Sequence, residues 1–417
     1  MPKYSLKFWI IFWITSVTFL AGWFFYLNFW NKEKTFMLLF QNNLELRPGG
    51  GFIGAFGILK VRSGRIVSLE THDLSNFDDS GAANVPPPYP IGEIMHVNSW
   101  KLRDSNWSPD FATDAQKAEE IYHASGGQEK FDGIIGITSN TLASMLKVTG
   151  PIEVNGYPGS YDSGNAIISL EYQVEKAFEQ QGIEREHRKS VMNDLAREIE
   201  EKVLNFSVVQ KLKLIKVLLA DLSKKDIQIY FQNASMQKIA RSFGWTGSVD
   251  QDWNKDFLMA VDANLGAFKS DYYMKRSLDY TIDLSKDVPQ ADLKITYNHT
   301  ALQKDWMTRN YLTYLRVYVP QGSVLQSSEN FDDPQTGEDL GKTYFGAIVI
   351  VPINSSKTVE LNYALPKELG NNYALKIQKQ AGLDDVPLTV HVIGADGQRK
   401  DYSYKIDKGE YLLNGTK

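Results

Sequence analysis

Phe8 to Trp30, FWIIFWITSVTFLAGWFFYLNFW, runs 23 residues without a formal charge. No other feature limits so strongly what this chain can become. About 20 such residues span a bilayer as a helix. Trp9, Trp13, Trp23, Tyr26 and Trp30 crowd the ends of the run, as interfacial aromatics do. Lys3 and Lys7 precede it, and Lys32 and Lys34 follow with Glu33 between them. That charge bias barely favours an inside N-terminus; the short N-terminal tail favours it more. No small-x-small cleavage site stands out, so the segment reads as an uncleaved anchor rather than a signal peptide. The expectation is a single-pass cell-membrane protein, held in the lipid bilayer by an N-terminal helix, with its bulk extracytoplasmic.

That bulk must fold on apolar cores alone. The chain has 417 residues, 43% apolar and 23% charged, with no cysteine. Disulfides, thiolate metal sites and a cysteine nucleophile are therefore excluded. A net charge of -5 leaves no electrostatic footprint for nucleic acid, so none is expected as a partner.

The text after the anchor has two grammars. Thr35–Phe40 is a continuous apolar run suited to a strand buried on both faces. Phe52–Val61 and Arg65–Thr71 read as a hairpin turning at Gly64. Asn76–Pro90, rich in proline, reads as a loop. A helix is expected over Thr113–Ala124, with Thr113 and Gln116 as a capping box. The strand FDGIIGIT follows, then a helix capped by Ser139. Two helices broken near Gly182 fill Gly164–Asn205, and another covers Val208–Leu222. Strand DIQIYF, helix Ser235–Phe243 and strand DFLMAVDAN complete the alternation. This implies a layered α/β domain with a mixed sheet. From about Asp279, short alternating runs separated by turn residues imply an all-β, immunoglobulin-like sandwich. The expected organisation is residues 1–33 tail and anchor, 34–279 α/β, and 280–417 sandwich.

Four constellations could carry chemistry. The first is QNNLELRPGGGFIGAFG, Gln41–Gly57, a charged glycine-rich corner between two apolar strands. A hairpin centred on Ser63-Gly64 would set Asp73 opposite Gly54, with His72 on the other face. Arg47 and Asp73 would then share one end of the sheet. The glycines would admit a phosphate to backbone N–H groups, or would serve only a bulge beside an Arg–Asp pair. Asn42 and Asn43 flank the same corner. The second is WKLRDSNWSPDF, where Arg103, Asp104, Asn106 and Asp110 precede a helix. The third, EREHRKS, sets Arg185 and Arg188 on one helix face, for phosphate oxygens or for nearby glutamates. The fourth, VDANLGAFKSDYY, ends a buried strand with Asp262, Asn264, Lys269 and Asp271. No Walker loop, G-x-S-x-G or H-E-x-x-H motif occurs, and the six histidines are scattered.

Taken in order, LLFQNNLELRPGGGFIGAFG, LRDSNWSPDF, FDGIIGIT with TGPIEV, VDANLGAFKSDYY and LKIQKQAG resemble a family of bacterial single-pass membrane proteins of unknown function. The first domain is also similar, more distantly, to the LytR-CpsA-Psr phosphotransferases, which move glycopolymers from a polyprenyl-pyrophosphate lipid onto the cell wall. In that resemblance Gln41, Asn42, Asn43 and Arg47 occupy the strand-end corner, Asp73 the hairpin-end acid, and Arg185 and Arg188 an R-x-x-R helix start. His72 stands where that family's motif has arginine, and the corner lacks its aspartate. Arg103, Asp104 or Asp110 would have to supply the missing groups. The resemblance implies Arg47, Asp73, Arg103 and Asp104 as catalytic residues, with Asp73 and Asp104 holding Mg²⁺. Asn42, Asn43, Asn106, Asp110, Arg185, Arg188, Asn264 and Lys269 would bind the ligand. Two expectations stay open: a transferase for lipid-linked cell-wall glycopolymer, or a non-catalytic envelope binding or adhesion protein with a degenerate transferase-like domain.

Overall fold

The computed structural model describes residues 31–81, 84–370 and 373–414. The anchor expected at Phe8–Trp30 lies outside them. Among the described residues no helix is long and apolar enough to cross a membrane.

The first unit is built on a five-stranded sheet. Its strands are β1 (Lys34–Asn42), β2 (Phe52–Arg62), β3 (Arg65–Asp73), β4 (Gly133–Thr138) and β7 (Ile227–Phe231), in the order β3-β2-β1-β4-β7. Between β4 and β7 in the chain, β5 (Ile152–Glu153) and β6 (Ser160–Tyr161) pair as a small antiparallel ribbon. Only β1 and β4 are parallel; the other pairs run antiparallel, so the sheet is mixed. β1 is central, which explains its apolar run. Met37 and Leu39 alternate onto one face, where they meet Phe111, Ala115 and Ile121 of a covering helix.

Among the described residues this part of the chain carries eight α-helices: α1 (Leu74–Ser80), α2 (Tyr89–Met95), α3 (Phe111–Ala124), α4 (Ser139–Thr149), α5 (Ala166–Tyr172), α6 (Ser190–Leu204), α7 (Val208–Lys224) and α8 (Ala234–Ser242). α5 continues through a π-helical turn, Gln173–Ala177, into Phe178–Gln180. α3 starts two residues before the expected capping box. Its cap is Asp110, which accepts from Thr113 N at 3.0 Å, while Gln116 Nε2 donates to Tyr230 Oη. The expected loop Asn76–Pro90 holds most of α1 and the start of α2. α1 forms because Asp73 caps it and because Asp78 is buried against the backbone of Leu102.

The second unit has two six-stranded sheets. One runs β12 (Val324–Glu329), β15 (Ser355–Ala364), β10 (Gln290–His299), β9 (Met274–Asp283), β17 (Val386–Ile393), β18 (Arg399–Ile406). The other runs β13 (Asp332–Asp339), β14 (Lys342–Val351), β11 (Tyr311–Pro320), β8 (Asp256–Asn264), β16 (Ala374–Gln378), β19 (Glu410–Asn414). Tyr280, Leu293 and Leu361 of the first sheet share one core with Leu258, Leu315 and Phe345 of the second. β8, expected in the α/β domain, therefore belongs to the strand-rich unit, where β11 and β16 flank it.

Candidate functional site

The glycine-rich corner is not an open loop. Gln41 and residues 43–51 are buried, and Arg47 is only 1% exposed. The corner sits where the two units meet. Leu46 O accepts from Asn264 N, and Leu46 N donates to Asp271 Oδ2. Arg47 O accepts from Gln380 Nε2, and Asn43 Nδ2 donates to Gly382 O. From the other side Asn106 Nδ2 donates to Gly51 O, and Gln228 Nε2 to Gly49 O. The glycines serve this close packing. A Cβ on Gly51 would stand 2.5 Å from the Asn42 carbonyl, and one on Gly382 would stand 1.9 Å from Gly50 O. Gly382 also has φ +78°, where side chains are strained.

Arg47 does not meet Asp73. Its Nε donates to Asp104 Oδ1 at 3.1 Å and its Nη2 to Glu45 Oε1 at 2.9 Å. Its Nη1 donates to the Asn264 carbonyl, and its guanidinium lies 5.5 Å from the Phe52 ring centroid. Burial works against the charge, yet Glu45 and Asp104 hold the guanidinium more firmly protonated than usual. Burial likewise pushes the Glu45 carboxyl up, with Arg47 opposing. All three edges of the fork are engaged inside the protein, so Arg47 has no face for a phosphate.

Asp73 finds Lys189 instead, Nζ to Oδ1 at 2.9 Å, and caps α1 through Ser75 N. A bulge between Lys60 and Val61 shifts the hairpin register, so Asp73 lies opposite Ala55 rather than Gly54. His72 stacks on Phe56 at 4.7 Å. Burial and then Lys189 act in opposite senses on the Asp73 carboxyl, and the lysine side wins, holding it below the usual range.

Around Asp73 a charge network forms at the Asn42 end of the sheet. Lys269 Nζ lies 3.4 Å from Glu171 and 3.9 Å from Glu175, and Arg188 lies 3.8 Å from Glu175. Asn42 Nδ2 donates to Glu171 at 2.8 Å, and Lys189 Nζ also donates to Gly54 O. The set is self-neutralised: Arg188, Lys189 and Lys269 face Glu171, Glu175 and Asp73. Glu171, Glu175 and Lys189 were missed from the sequence. Lysine directly after Arg188 gave no spacing signal, and the glutamates come from a helical run 130 residues beyond β1.

The other expected residues divide differently. Arg103 pairs with Asp78 at 2.7 Å and Asp79 at 3.4 Å. Asn43 reaches Asn140, and Asp110 accepts from Val249 N besides capping α3. Asn264 Nδ2 donates to Phe268 O and Asp271. Arg185 is exposed on the short turn Arg185–His187. Asp73 and Asp104, the expected Mg²⁺ ligands, share no partner, and each carboxylate already faces a cation of the protein. That donor set does not fit a divalent ion, which needs converging, uncommitted oxygens. Among the described residues no cluster of three His, Asp or Glu side chains could hold a metal.

Beside the network lies a cavity of about 490 Å³. Tyr161, Tyr172, Tyr273, Trp306, Gln173 and Asp305 line it, so the helical run 166–180 forms one wall and the sandwich loop 305–307 the other. Tyr172 and Trp306 meet edge to face at 5.8 Å. Asp305 Oδ1 fixes its own loop by accepting from Met307 N and Thr308 N. The run that carries Tyr172 and Gln173 also carries Glu171 and Glu175, so cavity and charge network share an element.

Residues 31–174 match the model of a family described as a protein of unknown function, DUF4012. No curated protein matches the chain. Among solved structures, protein gbs0355 from Streptococcus agalactiae is 11% identical, covers 51% of this chain and 74% of its own, and has a TM-score of 0.30. Lin1025 from Listeria innocua is 13% identical, covers 53% and 82%, and has a TM-score of 0.29.

Proposed function

We propose that this chain is a membrane-anchored, extracytoplasmic envelope protein that binds a carbohydrate polymer at the junction of its two units. In this reading the first unit is a LytR-CpsA-Psr-type frame whose transferase corner has become a structural joint, and the second is an immunoglobulin-like module. The observation that carries the reading is the cavity of about 490 Å³ with aromatic walls and polar edges. That volume lies in the range of ligand pockets. Sugar rings present apolar C–H faces to aromatic rings and hydroxyls to groups such as Gln173 and Asp305; tyrosine supplies both kinds of contact. The buried Arg47 supports the non-catalytic side, because a guanidinium 1% exposed and already paired with Glu45 and Asp104 does not reach a transferring phosphoryl group.

The test uses the full chain in detergent with soluble cell-wall glycopolymer fragments as probe, read by tryptophan emission. Trp306→Ala and Tyr172→Ala should each weaken binding by tenfold or so, the usual cost of removing an aromatic anchor. Absence of binding, or binding indifferent to both substitutions, sinks the proposal.

A second reading keeps transfer from a polyprenyl-pyrophosphate lipid. One observation favours it: Arg188, Lys189 and Lys269 stand in one network beside the cavity. Such a site would require the ligand to displace Glu171 and Glu175 from their cations. Lys189→Ala should then abolish turnover of the lipid-linked donor, whereas the binding reading expects no turnover in the parent protein.

A further inference from the structure

α7 carries two apolar faces, and only one is used. Leu214 and Leu222 are buried with Asp221, which accepts from Ser144 Oγ of α4 at 2.9 Å. On the other face Val208 is 73% exposed, Leu212 61%, Ile215 53% and Leu219 45%. Spacings of four, three and four residues set these side chains in one stripe. Leu204, just before the helix, is exposed as well. By helical phase Lys211 borders the stripe on one side and Lys216 on the other, with Lys213 beyond it. All three lysines are exposed, and the one acid of α7 is the buried Asp221. A contiguous bare apolar strip of this size on a folded protein marks a contact surface.

The topology says what lies near it. β7 starts opposite Ile137, at the Gln41 end of the sheet, so the C-terminus of α7 is at that end. α6 starts at that end, with Lys189 on Asp73, and Asn193 reaches Thr71 two residues back along β3, so α6 runs toward the opposite end. Lys202 Nζ donates to Pro151 O, just past the end of α4, which ties the α6–α7 turn to the opposite end. That is where β1 begins, at Lys34. Only residues 31–33 separate Lys34 from the uncharged run Phe8–Trp30. Three residues reach about 10 Å, so a bilayer holding that run would stand close to the Val208 end of the stripe.

We infer that the stripe of α7 docks into the interface of an anionic phospholipid bilayer, with Lys211 and Lys216 on the headgroups. The inference rests on the anchor reading of Phe8–Trp30. Seventeen residues are too few to span but enough to lie about 25 Å along the surface, apolar side down. Lysines beside an apolar face suit negative headgroups, each contributing about fivefold to the docked-to-undocked ratio.

The chain lacks cysteine, so single labels are clean. An environment-sensitive fluorophore goes on Leu212→Cys, with Lys400→Cys in β18 as control. The full chain is reconstituted in vesicles of phosphatidylglycerol and phosphatidylcholine, and co-flotation reports the anchor. The label at 212 should emit to the blue and be quenched by doxyl-labelled lipid, while the label at 400 does neither. Changing Lys211 and Lys216 together to Gln should cut docking about twenty-fivefold. If the chain co-floats but the label at 212 stays wet, docking is wrong and the anchor stands. A label that is sheltered yet not quenched by lipid, or that cross-links between copies, shows that protein covers the stripe and overturns the inference. A chain that does not co-float overturns the anchor reading and this inference with it.

Discussion

Replacing Arg47 by Met separates the two roles open to the corner. The substitution keeps an unbranched side chain but removes the cation between Glu45 and Asp104, whose side chains are 8% and 9% exposed. Breaking a buried pair leaves an uncompensated charge and costs about 3–5 kcal/mol. Full-chain urea unfolding in detergent, followed by tryptophan emission, would read this directly. With a slope of about 3 kcal/mol/M, the midpoint should fall by about 1–1.7 M. The deficit should also depend on pH. Burial already pushes Glu45 up, and Arg47 is the largest opposing influence. Without it the folded state holds a proton on Glu45 that the unfolded state releases near the ordinary carboxylate range. The variant therefore loses further stability as pH rises from about 4 toward neutrality, and its deficit narrows in acid. The triple change Arg47→Met, Glu45→Gln, Asp104→Asn removes the charges together and should recover most of the loss. A variant with wild-type stability that fails only to bind an anion would refute the structural role.

Two further outcomes follow from the packing. Gly51→Ala should destabilise by several kcal/mol, on the order of other severe core clashes, because the new methyl meets the Asn42 backbone at 2.5 Å; Gly54→Ala, with Lys189 Nζ at 4.0 Å as its nearest neighbour, should be close to neutral. Thermal unfolding of the pair checks this. In the sandwich core, Asp256 is fully buried and accepts from Tyr280 and Tyr373, and burial pushes its carboxyl up to about 7. The folded state then binds a proton that the unfolded state has lost above about 4, so stability falls as pH rises from there to about 7 and levels off beyond. Asp256→Asn should flatten that slope, measured as unfolding midpoint against pH.

Much of the fold could be read from periodicity, and the errors have physical causes. β1, β4 and β9 announce themselves by apolar runs or strict alternation. α1 does not, because LSNFDDS is a string of turn formers. It is held by a cap from Asp73 and by Asp78 bonding to the backbone of Leu102, a partner 24 residues away. β8 is buried almost throughout, a pattern that fits a central strand of either sheet. Its neighbours, β11 and β16, are fifty and more residues downstream, and only their register decides the matter.

The site was legible only as far as local sequence carries charge pairing. The motif ELR sets Glu45 two residues from Arg47, and that pair exists, but the deciding partner, Asp104, arrives from a separate loop. The aromatic walls have no spacing signal at all, since Tyr172 and Trp306 belong to different units. The choice between polymer binding and lipid-linked transfer turns on orientation. An undocked domain hanging from Lys34 with β1 upright would hold Asn42 about 30 Å from the headgroups, nine residues of extended strand. A polyprenyl pyrophosphate could not reach Arg188 and Lys189 at that height. With α7 laid along the bilayer, β7 beside it and the strands paired to β7 tilt toward the surface, which lowers the Asn42 end and its charge network toward the headgroups. Docking is therefore a requirement of the transfer reading and indifferent to the binding one. If the label at Leu212→Cys stays wet, the lipid-linked donor loses its path to the site, and the cavity is left to ligands that arrive from solution or from the wall.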